Sequence, residues 1–260
     1  MELTGVTALV TGSNRGIGRA IAEALVQRPL GLVLCGMRDP SSHRPLDPPP
    51  GGAREVRPVA VDLSDRESIE RSAASLPPVD LLINNAGRMT GGLLEEQDVE
   101  EIYAMFQVNL VGLVHLTRLL LPGMVERDRG KVVNNASISG YAWFPAASTY
   151  AAAKTGVVAF SESLRRELEP TGVSVLHLVT PGVATDMLDD TREVYGRHME
   201  ADAWDAVPPE EWAERVRKAI ENDDHVLGPG GRLALAKLAS RGPASLVDAL
   251  SKRMFSRDVT

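Results

Sequence analysis

This sequence has almost no cysteine and no excess of positive charge. Its 260 residues include one cysteine, Cys35, so an intramolecular disulfide is excluded, as is usual in a reducing compartment. Cys35 sits inside an apolar run, which favours a buried, inert thiol. The net charge of -7 does not favour binding to nucleic acid, which is itself negatively charged. The 5 histidines are scattered without metal-ligand spacing, so we expect no metal site.

We also identify no pattern typical of a signal segment or of a long hydrophobic run. The first residues enter a predicted strand directly, without a charged-then-apolar signal segment. We see no uninterrupted apolar stretch long enough to span a bilayer. We therefore expect a cytoplasmic protein without a transmembrane segment. A chain of 260 residues with a hydrophobic fraction of 43% fits one large α/β domain with a single core.

Strand-like and helix-like segments alternate along the chain. Helical patterns are predicted at 18–26, up to about residue 76, in two stretches within 95–127, and at 149–168. This alternation predicts βαβ units and a Rossmann-type doubly wound parallel sheet, with three layers α/β/α. The predicted strands cover residues 6–10, 30–35, 56–61, 80–84, 131–135, 172–179 and, at the end, 225–227.

Two segments depart from this rhythm. Between the second and third strands the proline-rich segment 39–52 replaces the expected crossover helix, and we predict an irregular loop or one helical turn. Near the end, 232–239 and 245–255 are predicted to be two short helices carrying an apolar stripe and basic residues. We thus expect a single domain over 1–260, with a core of about 4–230 and a helical tail of about 231–260. Packing over the substrate mouth or against a second subunit is the favoured role of the tail, and membrane contact is the alternative.

A glycine-rich loop follows the first predicted strand. Its pattern is Gly-x-x-x-Gly-x-Gly between Gly12 and Gly18, just before a predicted helix. Glycines let the backbone turn sharply and approach a pyrophosphate, while the helix N-terminus supplies N–H groups and partial positive charge. The loop therefore predicts a dinucleotide site. Its candidate residues are Gly12, Ser13, Asn14, Arg15, Gly16, Ile17 and Gly18.

The residue after the second strand decides which dinucleotide is favoured. A carboxylate there would bind the ribose 2′-hydroxyl and repel a 2′-phosphate. The strand instead runs into Arg38, and Arg15 lies in the glycine loop. Two guanidiniums near the ribose favour NADP(H) over NAD(H), although Asp39 could partly neutralise Arg38. Two solvated arginines without a ligand are the alternative interpretation.

A tyrosine and a lysine lie four residues apart at the start of a predicted helix. Tyr150 and Lys154 therefore share one helix face. An ammonium one turn away and the positive end of the helix both favour the phenolate, so we expect a lowered pKa for Tyr150. Such a tyrosine could exchange a proton with an alcohol or ketone near neutral pH. Ser137 could bond the same substrate oxygen.

Together these motifs resemble the short-chain dehydrogenase/reductase family in its single-domain form. The resemblance covers about residues 4–190 and follows the family's order. Its parts are Thr11 to Gly18, Asp62-Leu63, Asn84-Asn85-Ala86-Gly87, Asn109, Ser137 with Tyr150 and Lys154, and Pro181-Gly182-Val183-Ala184-Thr185.

The resemblance implies a role for each matching residue. The catalytic residues would be Asn109, Ser137, Tyr150 and Lys154, with Tyr150 as general acid or base in direct hydride transfer. Lys154 would also bind the nicotinamide ribose, and Asn109 would kink its helix and hold a water on the proton path. The remaining cofactor contacts would be Asp62 and Leu63 at the adenine, Asn85, Ala86 and Gly87 along the channel, and Pro181, Gly182, Val183 and Thr185 at the nicotinamide.

The substrate is less well indicated. Ser137, Trp143, Phe144 and Met187 are the candidate contacts, and an apolar variable lid over 186–209 suggests a hydrophobic ketone or alcohol. A 3-oxoacyl-thioester reductase, acting on an acyl-carrier-protein or CoA ester, is the enzymatic alternative. A catalytically silent NADP-binding redox sensor is the non-enzymatic one. The resemblance also implies a homodimer or homotetramer, with the helices at 100–127 and 149–168 as the interface.

Overall fold

A seven-stranded, fully parallel sheet forms the centre of the computed structural model, which describes residues 1–198 and 206–230. The predicted tail helices, and lid residues 199–205, lie outside the described residues. The strands are β1 Thr7–Thr11, β2 Leu32–Met37, β3 Val56–Ala60, β4 Leu81–Asn84, β5 Gly130–Asn135, β6 Val173–Leu178 and β7 Val226–Leu227. The helices are α1 Gly16–Val26, α2 Arg66–Ser75, α3 Val99–Phe106, α4 Gly112–Glu126, α5 Ser148–Glu167, α6 Asp186–Gly196 and α7 Pro209–Glu221.

The strand order β3-β2-β1-β4-β5-β6-β7 confirms the predicted doubly wound sheet. The chain runs outward from β1 to β3, then crosses to β4 and runs outward the other way. This reversal between β1 and β4 opens a crevice at the carboxyl ends of the strands, which is where open α/β sheets bind ligands.

Each face of the sheet buries its own helix layer. Successive strand residues point to opposite faces, so Leu9 and Val10 join different clusters. Val10 packs with Ile21 of α1 and Trp212 of α7. On the other face, Leu9 packs with residues of α2, α4 and α5, namely Ile69, Leu116 and Leu164. The three-layer prediction is therefore confirmed.

The proline-rich segment forms no crossover helix, as predicted. It contains one short 3₁₀ turn, Pro40–Ser42. The Arg19 guanidinium on α1 donates hydrogen bonds to the carbonyl oxygens of Arg44 and Pro45. Arg19 thereby fixes the segment against the helix that follows the glycine loop.

Helices α3 and α4 form one continuous rod. A π-helical turn, Gln107–Val111, joins them, so residues Val99–Glu126 make a helix of 28 residues. By length and composition alone this rod could cross a membrane, a criterion that the core helix of a soluble protein also meets. The rod also buries Met105, Leu116 and Met124 against the domain, as expected for a helix of the outer layer.

Candidate active site

The glycine loop has the backbone that its sequence predicts. Gly12 and Gly16 have φ angles of 67° and 54°, a region that L side chains rarely adopt. A Cβ on Gly12 would lie 2.8 Å from Cα of Ala86, and one on Gly18 would lie 2.2 Å from the Gly12 oxygen. The loop therefore packs closely against the segment after β4 only because it lacks side chains there.

The N-terminus of α1 fits an anionic group. The helix begins at Gly16 after Arg15, and within the described chain its first turn carries neither a side-chain cap nor an acidic residue. The partial positive charge of the helix end is therefore uncompensated by a side chain, which suits a pyrophosphate. Ser13 ties the loop to β2, since its N–H and hydroxyl both donate to the Gly36 carbonyl oxygen at 3.2 Å. Of the other predicted loop residues, Asn14 is exposed and Ile17 packs against the core.

Arg38 and Arg15 are placed differently from one another. Arg38 is exposed directly after β2. The Asp39 carboxylate accepts hydrogen bonds from the Ser41 N–H at 2.9 Å and hydroxyl at 2.7 Å, and the structure, which describes both residues, shows no ion pair between it and Arg38. Arg15 reaches across the crevice to Asp186, 3.4 Å away, at the start of α6. Of the two predicted arginines, Arg38 is therefore the one whose guanidinium lies at the end of β2, without, in the described part of the chain, the ion pair that Arg15 makes.

The predicted adenine and channel residues line the same edge of the sheet. Asp62 follows β3, and its carboxylate accepts from the N–H and hydroxyl of Ser64. Leu63 is buried, with 3% of its surface exposed. After β4, the N–H groups of Asn85 and Ala86 both donate to the Thr11 hydroxyl at 3.0 Å, which joins the channel wall to β1.

Ser137, Tyr150 and Lys154 come together where β5 and α5 meet. Tyr150 is the third residue of α5, and Lys154 Nζ lies 5.7 Å from the centroid of its ring. All three side chains are buried, with 9%, 9% and 5% of Ser137, Tyr150 and Lys154 exposed. Ser137, which follows β5, lies close enough to the Tyr150 hydroxyl to act on its pKa, and its own hydroxyl accepts from the Ser139 N–H at 3.1 Å. The structure therefore brings these three predicted residues together.

Burial, rather than the neighbouring ammonium, governs the pKa of Tyr150. Desolvation raises the pKa of Tyr150 to about 12, although the hydrogen bond from Ser137 acts to lower it. The expected lowering by Lys154 and the helix end is therefore wrong for the protein on its own. Burial also lowers the pKa of Lys154 to about 8, because a charged ammonium loses hydration in the interior.

Asn109 lies in the π-helical turn and holds a loop. Its side chain is fully buried, donates to the Arg88 carbonyl oxygen at 2.7 Å and accepts from the Arg88 N–H at 2.9 Å. A Cβ on Gly87 would lie 3.0 Å from the Asn109 Oδ1. The predicted helix distortion at Asn109 is present, as a π turn. The amide fixes the loop after β4 to the rod.

The segment after β6 closes the other side of the crevice. Pro181 and Val183 are buried, and Gly182 is half-buried. Thr185 immediately precedes α6 without a side-chain capping hydrogen bond to any residue that the structure describes, and its hydroxyl instead donates to the Val183 carbonyl oxygen at 3.2 Å. A Cβ on Gly16 would lie 3.3 Å from Thr185 Cγ2, so this segment faces the glycine loop at close range.

The candidate substrate residues separate into two groups. Phe144 joins a cluster of Ala146, Ala147 and Tyr195, which Met89 connects to Tyr150. Trp143 points elsewhere: it is 56% exposed, and its indole N–H donates to the Thr155 hydroxyl at 3.2 Å. Met187 is half-buried in the first turn of α6.

Two polar residues at this edge were not singled out from the sequence. Asn135 ends β5 and Thr180 follows β6, and their side chains hydrogen-bond each other between the catalytic and nicotinamide-side segments. The available signal was a polar residue at the carboxyl end of a buried strand, the position where ligands of such sheets bind.

A parallel sheet with this crevice, a glycine loop and a buried Ser–Tyr–Lys group defines a nicotinamide-dependent oxidoreductase. The chain belongs to the short-chain dehydrogenase family, whose model, described as short chain dehydrogenase, matches residues 6–196. It is therefore an enzyme that acts on CH–OH or carbonyl groups. The family resemblance inferred from the sequence is confirmed.

Relatives and solved structures agree with this assignment. The chain is 36% identical over 197 residues to the ketoacyl reductase HetN of Nostoc, covering 73% of this chain and 68% of that protein. It is 35% identical over 200 residues to a 3-oxoacyl-[acyl-carrier-protein] reductase of Haemophilus influenzae, covering 72% and 78%. A short chain dehydrogenase of Burkholderia cenocepacia, solved with NADP, superposes with a TM-score of 0.79 at 28% identity and covers 97% of this chain and 98% of that one.

Proposed function

We propose that the protein is an NADP(H)-dependent reductase of a hydrophobic ketone, or the dehydrogenase of the corresponding secondary alcohol. The observation that carries this proposal is the burial of Ser137, Tyr150 and Lys154 as one group beside the crevice. A dry site strengthens each polar interaction with a reacting carbonyl oxygen. The nicotinamide, when bound, supplies or accepts the hydride.

The side chains of the chain supply the proton and hold the oxygen. With a pKa of about 12, Tyr150 is protonated at neutral pH and is ready to donate its proton to a carbonyl oxygen. The Ser137 hydroxyl, buried beside that phenol, donates to the same oxygen and orients it. Lys154, as an ammonium one helical turn away, stabilises the phenolate that remains.

The proposed preference for NADP(H) depends on Arg38. Among the described residues, the guanidinium at the end of β2 is exposed and forms no ion pair with Asp39, whose carboxylate binds Ser41, so it is available to a 2′-phosphate. The Burkholderia relative, solved with NADP, supports the same choice. Arg15 would have to leave Asp186 to contribute, and an exposed ion pair of that kind is weak.

A hydrophobic substrate is proposed from the wall beside Tyr150. Met89, Phe144, Ala146 and Tyr195 form an apolar cluster there. A second candidate is a 3-oxoacyl thioester, because two relatives bear the names of ketoacyl and 3-oxoacyl reductases. The two candidates share the reacting group and differ in what is attached to it.

The proposed partner is a second copy of the chain. The rod of α3 and α4 exposes Val99, Tyr103 and Val111 by 56%, 71% and 52%. Large exposed apolar side chains on one long helix are typical of an interface. We propose that this side of the rod packs against a second subunit.

The test is NADPH oxidation against matched ketones and 3-oxoacyl thioesters, with wild-type protein and Tyr150→Phe. We expect wild-type turnover and a loss of about 10²–10⁴-fold in the variant, with NADPH affinity retained. Tyr103→Phe, an exposed tyrosine on α3, is the matched control and should turn over normally. Retained turnover in Tyr150→Phe would refute the mechanism, and the faster substrate series decides between the two candidates.

A further inference from the structure

A string of side chains crosses the carboxyl edge of the sheet beneath the crevice. Asn85 donates to the Thr11 carbonyl oxygen at 3.0 Å, and Asn135 donates to the Asn85 Oδ1 at 2.9 Å. The Thr180 hydroxyl then donates to the Asn135 Oδ1. The string therefore joins the ends of four adjacent strands, β1, β4, β5 and β6, in the order in which they lie in the sheet.

Asn135 lies at the centre of this string and also touches the catalytic group. Its main-chain carbonyl oxygen accepts a hydrogen bond from Lys154 Nζ at 2.8 Å. Ser137 follows two residues later, and Thr180 precedes Pro181 in the segment that closes the crevice. One buried residue, 7% exposed, therefore connects the catalytic lysine to the segment on the other side.

The energetics favour a fixed geometry for Asn135. A buried amide left without partners costs about 1–3 kcal/mol, so the side chain is held in the one orientation that satisfies both ends. Hydrogen bonds in such a chain also reinforce each other in a low-dielectric interior. Thr180 and Lys154 are therefore both held by Asn135, the first through its side chain and the second through its main-chain carbonyl oxygen.

We propose that Asn135 is a positioning residue that fixes the position of Lys154 relative to the 181–185 segment, so that the nicotinamide half of the cofactor is bound in one geometry. The inference rests on the proposed function, since it concerns that same site. Asn135 itself contacts neither substrate nor cofactor in this role and acts through Lys154 and Thr180.

Asn134, the preceding residue, provides a matched control. It is also buried at the end of β5, but its side chain points to the other face of the sheet. There it donates to the Ser161 hydroxyl and accepts from Asn84, both at 2.9 Å. The two asparagines share residue type and burial, each side chain has two hydrogen-bond partners, and they differ in the face of the sheet to which the side chain points.

The test measures the dissociation constants of NADPH and of adenosine 2′,5′-bisphosphate, which has only the adenosine half. For Asn135→Leu and for Thr180→Val we expect NADPH binding about tenfold weaker, equal to about 1.4 kcal/mol, with binding of the bisphosphate unchanged. The double variant should be little weaker than either single one, because both remove the same contact. Asn134→Leu should lower the melting temperature while leaving both dissociation constants unchanged.

Each outcome decides a different claim. Unchanged NADPH binding in Asn135→Leu and Thr180→Val would overturn the inference, as would equal weakening of both ligands. The milder Thr180→Val variant gives this answer even where Asn135→Leu does not fold. Wild-type protein that bound neither ligand would overturn the proposed function itself, and the inference with it.

Discussion

Lys154 Nζ lies 5.7 Å from the ring centroid of Tyr150 in a site that buries both side chains. Burial shifts the two pKa values in opposite directions: the pKa of Tyr150 rises to about 12 and the pKa of Lys154 falls to about 8. Both shifts disfavour charge, so the protein holds its proton donor and its ammonium in surroundings that destabilise their charged forms. This geometry has a cost in stability that can be measured.

Lys154→Met should stabilise the fold while abolishing turnover. A lysine whose pKa falls from 10.5 to about 8 on folding costs about 3 kcal/mol at neutral pH, since it is charged in both states. Methionine removes that cost and fills similar space. Urea unfolding at pH 7 should therefore show a gain of up to about 3 kcal/mol, less about 1 kcal/mol for the lost hydrogen bond to Asn135.

The pH dependence of that gain gives a second check. Between pH 8 and 10.5 the folded protein has released the Lys154 proton while the unfolded chain still holds it, so wild-type stability rises with pH. The advantage of Lys154→Met should therefore shrink over this range. Lys218→Met, at a lysine on α7 that is 63% exposed, should change stability by less than about 0.5 kcal/mol. A gain independent of pH would contradict the explanation.

Arg38→Asp should reverse the coenzyme preference. The new carboxylate would repel a 2′-phosphate and accept from a ribose hydroxyl, so kcat/KM should fall with NADPH and rise with NADH. We expect the ratio of the two to change at least tenfold. Arg66→Asp, which alters an exposed arginine on α2, should leave the ratio unchanged. An unchanged ratio in Arg38→Asp would mean that the guanidinium at the end of β2 does not select the coenzyme.

The sequence predicts well those features that depend on local pattern. The glycine loop, the Tyr150–Lys154 spacing and the missing helix in 39–52 each follow from a few neighbouring residues, and the structure shows all three. The contacts that the sequence analysis missed join residues that are far apart in the chain. Arg15 pairs with Asp186, 171 positions away, and Thr180 bonds Asn135, 45 positions away. The expected fall in the pKa of Tyr150 was wrong for the same reason. The burial that raises this pKa depends on packing between elements, which local spacing does not reveal.

Tyr103→Glu should weaken the proposed contact between subunits. Tyr103 is 71% exposed on α3, one helical turn from Val99, so a carboxylate there would have to be desolvated at the interface. We expect sedimentation to show a larger share of monomer, with the fold retained. Arg66→Asp again serves as the surface control on another helix. A wild-type protein that sediments as a monomer at every concentration would refute the proposed interface.

Tyr195 should set the size of substrate that the enzyme accepts. A Cβ on Gly91 would lie only 2.2 Å from Cε1 of Tyr195, so the ring fits against the loop after β4 because residue 91 is glycine. A small cavity of about 50 Å³ remains beside the ring, lined in part by Met89 and Val194. Met89 also contacts the Tyr150 cluster, which places this ring beside the catalytic group. Burial raises the pKa of Tyr195, so its hydroxyl is neutral at the pH of the assay.

Tyr195→Leu should therefore shift specificity toward bulkier carbonyl compounds. The smaller side chain enlarges the space in front of Tyr150, and each added methylene that fits a hydrophobic pocket is worth about 10–200-fold in discrimination. We expect the ratio of kcat/KM for a branched ketone to that for its short linear homologue to rise at least tenfold. Tyr195→Phe keeps the ring and removes only the hydroxyl, so it should leave the ratio unchanged. An equal change in both variants would assign the effect to the hydroxyl, and no change in either would place Tyr195 outside the substrate path.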